Sequence, residues 1–166
     1  VSAQDWPTRP VTMIVPYAPG GNIDQAARVF GRELSEKLGQ QFIVESKGGA
    51  GGSLGASAVA KARPDGYTIL FGTAATHGVN AALYKKLPFD VEADFTPIAP
   101  MVNVSNVLTV NPNVIDAGTL REFIDKVKAS PGKYNYASTG NGTGTHLAFA
   151  EFISRAGLEM VHVPYK

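Results

Sequence analysis

Two glycine-rich turns carry the residues best placed to do chemistry. The first, Pro16-Tyr17-Ala18-Pro19-Gly20-Gly21-Asn22, directly follows the apolar run Val11–Val15; the second, Ser138-Thr139-Gly140-Asn141-Gly142-Thr143-Gly144-Thr145, directly follows Tyr134–Ala137. Each reads as a strand turning sharply into a helix. Such a turn leaves main-chain N–H groups unpaired, and with the positive end of the helix dipole they form an anion site that needs no charged side chain. In the first turn Pro19 sets φ, and Gly20-Gly21 let a ligand approach without a Cβ in the way. A carboxylate would be taken by the N–H groups near Gly20, Gly21 and Asn22, with Tyr17 as a wall. A tight turn that binds nothing explains the same residues, and on this segment alone both readings stand.

The second turn is richer in hydroxyls. Ser138, Thr139, Thr143 and Thr145 each carry one O–H donor, Gly140, Gly142 and Gly144 keep the turn open around Asn141, and His146 follows to orient the hydroxyls or touch ligand. Each hydrogen bond to a charged carboxylate is worth about 1.5–3 kcal/mol. Thr73, Ala74 and Thr76 sit just after the apolar run Tyr67–Phe71, at the strand end where ligands of open α/β sheets bind, and take a supporting role. Two such turns point to a ligand with anionic groups held between them. Neutral donors around a buried anion predict little dependence on pH well above the ligand's own pKa.

The elements that must position these turns alternate in type. Short apolar runs at 11–15, 42–45, 67–71, 134–137 and 160–163 alternate with helical patterns, the pattern of an α/β protein with mainly parallel strands. Ile23, Ala26, Ala27, Phe30, Leu34 and Leu38 share one helical face, and Gly39 supplies the stop. Gly48–Gly52 leads into an alanine-rich helix ending near Ala62, and a short helix is expected near Asn80–Tyr84. The segment 87–95 has no clear periodicity. Two more strands are predicted at 96–102 and 107–110, separated by the polar break 103–106. Thr119 opens a helix to about Ala129, with Glu122 placed to complete a capping box, and a last helix runs from about Thr145 to Ala156.

Other chemistries are weaker. Gly51-Gly52-Ser53-Leu54-Gly55 matches G-x-S-x-G, which would make Ser53 the nucleophile of an α/β hydrolase, but the strand at 42–45 ends too early for a strand-to-helix elbow. No G-x-x-x-x-G-K-[ST] run exists, and the glycines miss the dinucleotide register. His77, His146 and His162 lack metal-ligand spacing, so no metal site and no cofactor are expected; His162, inside an apolar run, reads as a core residue. Asp24 either meets a ligand ammonium or steadies the first helical turn, and the second is preferred. Cysteine is absent, which excludes disulfides and thiolate chemistry. A net charge of +1 without a basic cluster argues against a nucleic-acid partner, and no apolar stretch reaches the roughly 18–20 residues of a membrane span.

Five motifs in this order resemble a known family. They are Pro19-Gly20-Gly21 with Asp24; Val44-Glu45 with Gly48–Gly55; Ala62-Arg63-Pro64-Asp65-Gly66-Tyr67-Thr68; Tyr136–Gly142; and Val161-His162-Val163-Pro164-Tyr165-Lys166. Together the chain from Trp6 onward is similar to the periplasmic solute receptors of tripartite tricarboxylate transporters, the Bug receptors. The resemblance implies an α/β fold of the type II periplasmic-binding-protein kind, two lobes with mainly parallel sheets, 1–102 forming most of the first and 103–166 part of the second. It implies a receptor and not an enzyme, exported with its signal peptide removed and delivering ligand to membrane permease subunits. The ligand would be a small di- or tricarboxylate, an aromatic carboxylate or an amino acid. It also shifts the weight at the first turn toward ligand binding. Family members are about twice this length, so the second lobe is expected to be incomplete here.

Overall fold

The computed structural model describes residues 6–165 of the chain. Two compact units divide it, Val1–Val102 and Asn103–Lys166.

The first unit is built on a parallel three-stranded sheet. Its elements are β1 (Val11–Val15), α1 (Asn22–Leu38), β2 (Phe42–Ser46), a 3-10 turn (Ala50–Gly52), α2 (Ser53–Ala60), β3 (Thr68–Leu70), a π-helical turn (Ala75–Val79) and α3 (Asn80–Leu83). The strand order is β2-β1-β3, with Val11 opposite Phe42, Val15 opposite Ser46 and Ile14 opposite Leu70. β1 is the centre strand and is apolar on both faces, as a strand covered on both sides must be. Val11, Met13 and Val15 join Ala27, Phe42 and Phe71 in one core, onto which Ile23, Ala26, Phe30 and Leu34 of α1 pack. Ile14 points to the alternate face and is equally buried. The helical spacing that predicted α1 therefore marks its buried stripe; Leu38 alone, in the last turn, stays 40% exposed. Gly39 adopts a left-handed φ of 70° and ends the helix, its N–H donating to the Ser35 carbonyl. Ser35 Oγ then accepts the Phe42 N–H at 2.9 Å, which ties the end of α1 to the start of β2.

The second unit contains α4 (Leu120–Lys128), β4 (Asn135–Ser138), α5 (Gly144–Ala156) and β5 (Val161–Pro164). β4 and β5 pair in parallel, Tyr136 opposite His162 and Ser138 opposite Pro164. Ile115, Phe123, Val127 and Leu158 form its core, with Phe149, Phe152, Ile153 and Met160 packed around it. Thr119 caps α4 by accepting the Glu122 N–H, while the Glu122 carboxylate takes the Gly118 N–H at 2.8 Å. That return bond falls one residue before the position a capping box uses.

Two expected strands do not form. Residues 96–102 and 107–110 have no regular secondary structure, and Ile98 and Val107 are each 81% exposed. A strand exists only through its ladder, and among the described residues these segments have no pairing partner. Residues 87–95, which show no period, instead form a small aromatic cluster. Phe89 is buried and packs edge-on against Phe95, which packs edge-on against His77.

Candidate functional site

All three strands of the first unit run the same way, so the segments that follow them emerge at one edge of the sheet. Side chains and close backbone approaches tie these segments together. Tyr17, after β1, hydrogen-bonds through its hydroxyl to Thr73 Oγ1, after β3, at 2.7 Å. Burial raises the Tyr17 phenol pKa above its ordinary value, against the opposing effect of that bond. The segment after β2 packs under both. A Cβ on Gly48 would lie 3.1 Å from the Ala18 N, one on Gly52 would lie 2.7 Å from Thr76 Cγ2, and one on Gly55 would lie 2.8 Å from Pro16 Cα and Lys47 O. These glycines thus serve close packing of three loops, a role the sequence reading missed. Ala50, with φ of 48°, is the one non-glycine residue in the left-handed region among the described residues.

Asn80 completes the clamp. Fully buried at the start of α3, it donates through Nδ2 to the Gly51 carbonyl and to Ser53 Oγ, both at 3.0 Å. Its Oδ1 is the one buried side-chain polar atom without a partner among the described residues. The same bonds overturn the hydrolase reading. Ser53 is buried as the first residue of α2, well beyond the end of β2, and its Oγ meets an amide that cannot take a proton.

At the first turn α1 begins at Gly21 with no side-chain cap. The Gly20 N–H is already committed to Asp24 Oδ2 at 2.9 Å, and Asn22 Oδ1 accepts the Ile23 N–H. Among the described residues, the N–H groups of Ala18, Gly21 and Asn22 have no acceptor. Ala18, Pro19, Gly20, Gly21 and Asn22 are all exposed residues. Asp24 is buried, and Arg28, the Gly20 N–H and Ser46 Oγ occupy its carboxylate. It steadies the turn, and no face of it is left for a ligand ammonium. The Arg28 hydrogen bond, followed by that of Gly20, lowers its pKa from 3.8 to about 2.

At the third loop the hydroxyls divide. Thr76 is fully buried; its Oγ1 donates to the Thr73 carbonyl, accepts the Thr73 N–H and bonds His77 Nδ1, all at 2.9 Å. It shapes the loop and has no proton to spare. Ala74 is exposed and Thr73 half-buried. Burial also lowers the His77 pKa below 6.5.

The second turn shows a similar division. Thr143 is buried as the cap of α5, donating to the Gly140 carbonyl at 2.7 Å. Since its proton is used there, Thr145 must donate in the 3.1 Å Thr143–Thr145 bond. Thr139 Oγ1 lies 2.9 Å from Thr145 Oγ1 and, the Thr145 proton being used on Thr143, donates to it, so its proton too is used within the turn. Ser138 is buried against His162 Nε2 at 2.7 Å. The Gly140 N–H goes to Ser138 Oγ, the Thr139 N–H to Thr145 Oγ1 and the Gly142 N–H to His146 Nδ1. Those of Asn141 and Gly144 have no acceptor among the described residues. Ala137, Ser138, Thr139 and Thr145 line an open hollow of about 300 Å³. His162 is thus no plain core residue: it is half-buried, hydrogen-bonded, and stacked on His146.

Helices and loops gathered at the carboxyl edge of a parallel sheet define an α/β protein with parallel sheets. The chain belongs to the family described as the tripartite tricarboxylate transporter family receptor, whose model matches residues 26–166. It is 42% identical over 164 residues to a UPF0065 protein of Bordetella pertussis, covering 99% of this chain and 50% of that protein. A solved structure described as a periplasmic transporter is 43% identical, with a TM-score of 0.92 over 96% of this chain and 53% of its own. An R. palustris protein solved with adipate is 35% identical, with a TM-score of 0.93 over 97% of this chain and 54% of its own. The chain spans about half the length of the curated relatives it matches.

Proposed function

We propose that this chain is part of a periplasmic solute receptor that captures a small carboxylate and hands it to a membrane permease, without chemical change to the ligand. The observation that carries this reading is the first turn: N–H groups of the exposed residues Ala18, Gly21 and Asn22 have no acceptor among the described residues, just ahead of and at the start of a helix whose dipole favours an anion there. One carboxylate binds those amides. The second turn offers a carboxylate site of its own, through the Asn141 and Gly144 N–H groups. Tyr17, Thr73 and Ala74 wall the first site, and Thr76, Ser138 and Thr143 support the loops from inside. Family membership and the adipate carried by an R. palustris relative support a dicarboxylate of this size. Periplasmic export and permease partners follow from the family alone.

The test deletes a single donor. Gly21 has φ of −72°, the value proline requires, and a Cβ there meets nothing closer than the Ala18 carbonyl at 3.7 Å. Gly21→Pro therefore removes one N–H at a φ that proline accepts, and Gly21→Ala keeps it. Calorimetric titration of the 166-residue chain with adipate should give about tenfold or greater weakening for Gly21→Pro and near-native binding for Gly21→Ala. Equal binding by both variants, or none by the wild type across a panel of carboxylates, overturns the reading.

A further inference from the structure

The two imidazoles of the second unit are brought together although they lie far apart in sequence. His146 lies in the first turn of α5 and His162 in β5, and their rings stack at a centroid distance of 4.0 Å and an angle of 8°. Tyr136 of β4 continues the stack on the other face of His162, at 4.8 Å. Each imidazole holds one end of the Ser138–Thr145 turn. His146 Nδ1 accepts the Gly142 N–H at 3.1 Å, so that nitrogen carries no proton. His162 Nε2 meets Ser138 Oγ, which in turn accepts the Gly140 N–H.

We propose that the His146–His162 stack is a proton-sensitive support for the second turn: with both rings neutral it holds the turn in the form that binds a carboxylate, and proton uptake by the pair loosens the turn and weakens capture. The effect on ligand rests on the receptor reading given above; the effect on the turn does not. A proton on His146 Nδ1 sets two N–H groups against each other and breaks the Gly142 bond. In the tautomer with Nε2 bare, the Ser138 hydroxyl donates to it; a proton there makes the nitrogen the donor and leaves the hydroxyl only the Gly140 carbonyl, which already stands within hydrogen-bond distance at 3.2 Å. That carbonyl already accepts the Thr143 hydroxyl and the Thr143 N–H, and it has two lone pairs for three donors. Charge on one ring also opposes charge on the other, their centroids being 4.0 Å apart.

No carboxylate compensates. Among the described residues, neither imidazole makes a salt bridge. The charged residues of α5 are Glu151 and Arg155, which pair with each other. Facing the stack from β4 is Tyr136, with Lys133 ahead of the strand lying over the Tyr134 ring, and β5 leads into Tyr165. Burial, and then the charge of His146, push the His162 pKa below 6.5. The neutral form is therefore the native one, its contribution being complete above 6.5 and lost as pH falls through the lowered value. The weak pH dependence expected of a site made of neutral donors is thereby replaced by a loss of binding in mild acid.

The test follows the turn directly. In the isotope-labelled chain, the histidine ring resonances and the Gly140 and Gly142 amides are recorded by NMR from about pH 7.5 to about pH 5. Both amides should shift in step with the imidazoles. His146→Asn supplies an Oδ1 where Nδ1 stood and His162→Gln supplies an amide where Nε2 stood; each should preserve the turn's shifts at neutral pH and reduce their response to acid. Glycine amides that stay still while the imidazoles titrate overturn the proposal. Between those pH values adipate affinity of the wild type should fall by about threefold or more beyond the fall in His162→Gln, which reports the ligand's own protonation, and an equal fall in both overturns the proposal. Adipate binding that is equal at both ends also overturns it. Absence of adipate binding at every pH defeats the receptor reading instead, and the amide titration still decides the turn.

Discussion

Asp24→Asn replaces a buried carboxylate by an amide of the same shape and asks how much the charge contributes. The carboxylate accepts the Gly20 N–H at 2.9 Å, Arg28 Nε at 2.9 Å and Nη2 at 3.1 Å, and the Ser46 hydroxyl at 2.9 Å. It thereby joins the first turn, the first two turns of α1 and the end of β2. Its pKa falls from 3.8 to about 2, and a drop of this size corresponds to about 2 kcal/mol of stability at neutral pH. Arg28 is 55% exposed, so water screens part of its share, and the expected loss is about 1–2 kcal/mol. The sign follows from the lowered pKa: the contribution is complete above 3.8 and disappears as pH falls through about 2. Urea unfolding of wild type and variant at a series of pH values measures it. The gap should be full at pH 7 and narrow steadily below 3.8, and the Gly20 amide should exchange faster with solvent in the variant. A gap below about 0.5 kcal/mol at neutral pH, or one unchanged down to the lowest pH at which both chains are folded, would refute the reasoning.

The same unfolding measurement checks the loop packing. Gly55→Ala places a Cβ 2.8 Å from two backbone atoms and should cost about 1–3 kcal/mol, whereas Gly78→Ala, with nothing within 4 Å, should stay within about 0.5 kcal/mol. Asn80→Ala strips the Gly51 carbonyl and Ser53 Oγ of their shared donor and should cost about 1–3 kcal/mol; a neutral result would mean the clamp between the second and third loops is unnecessary.

Much of the framework is legible in residue order because local rules decide it. The stripe from Ile23 to Leu34 marks the buried face of α1, and Gly39 ends that helix because only a residue tolerant of positive φ closes it so tightly. The run Val11–Val15, apolar at nearly every position, reads as a strand, and the structure makes it the centre of a parallel sheet. The two glycine turns are visible for the same reason: each is a short contiguous signal. Residues 96–102 and 107–110 show where this fails. Their apolar alternation is a strand's pattern, but pairing is not a property of one segment, and no partner stands beside them among the described residues.

The sequence by itself settles the α/β class, the family and the two amide-rich turns, since each rests on neighbours in the chain. Tertiary structure decides what those turns can offer. It assigns the Gly20 N–H to Asp24 and withdraws the hydroxyls of Thr76, Ser138, Thr139, Thr143 and Thr145 into loop support. It gives the glycines at 48, 52 and 55 to close packing, and stacks His146 on His162. A donor's availability depends on which acceptor lies within about 3 Å of it, and distances between residues far apart in the chain are set only when the strands and helices pack.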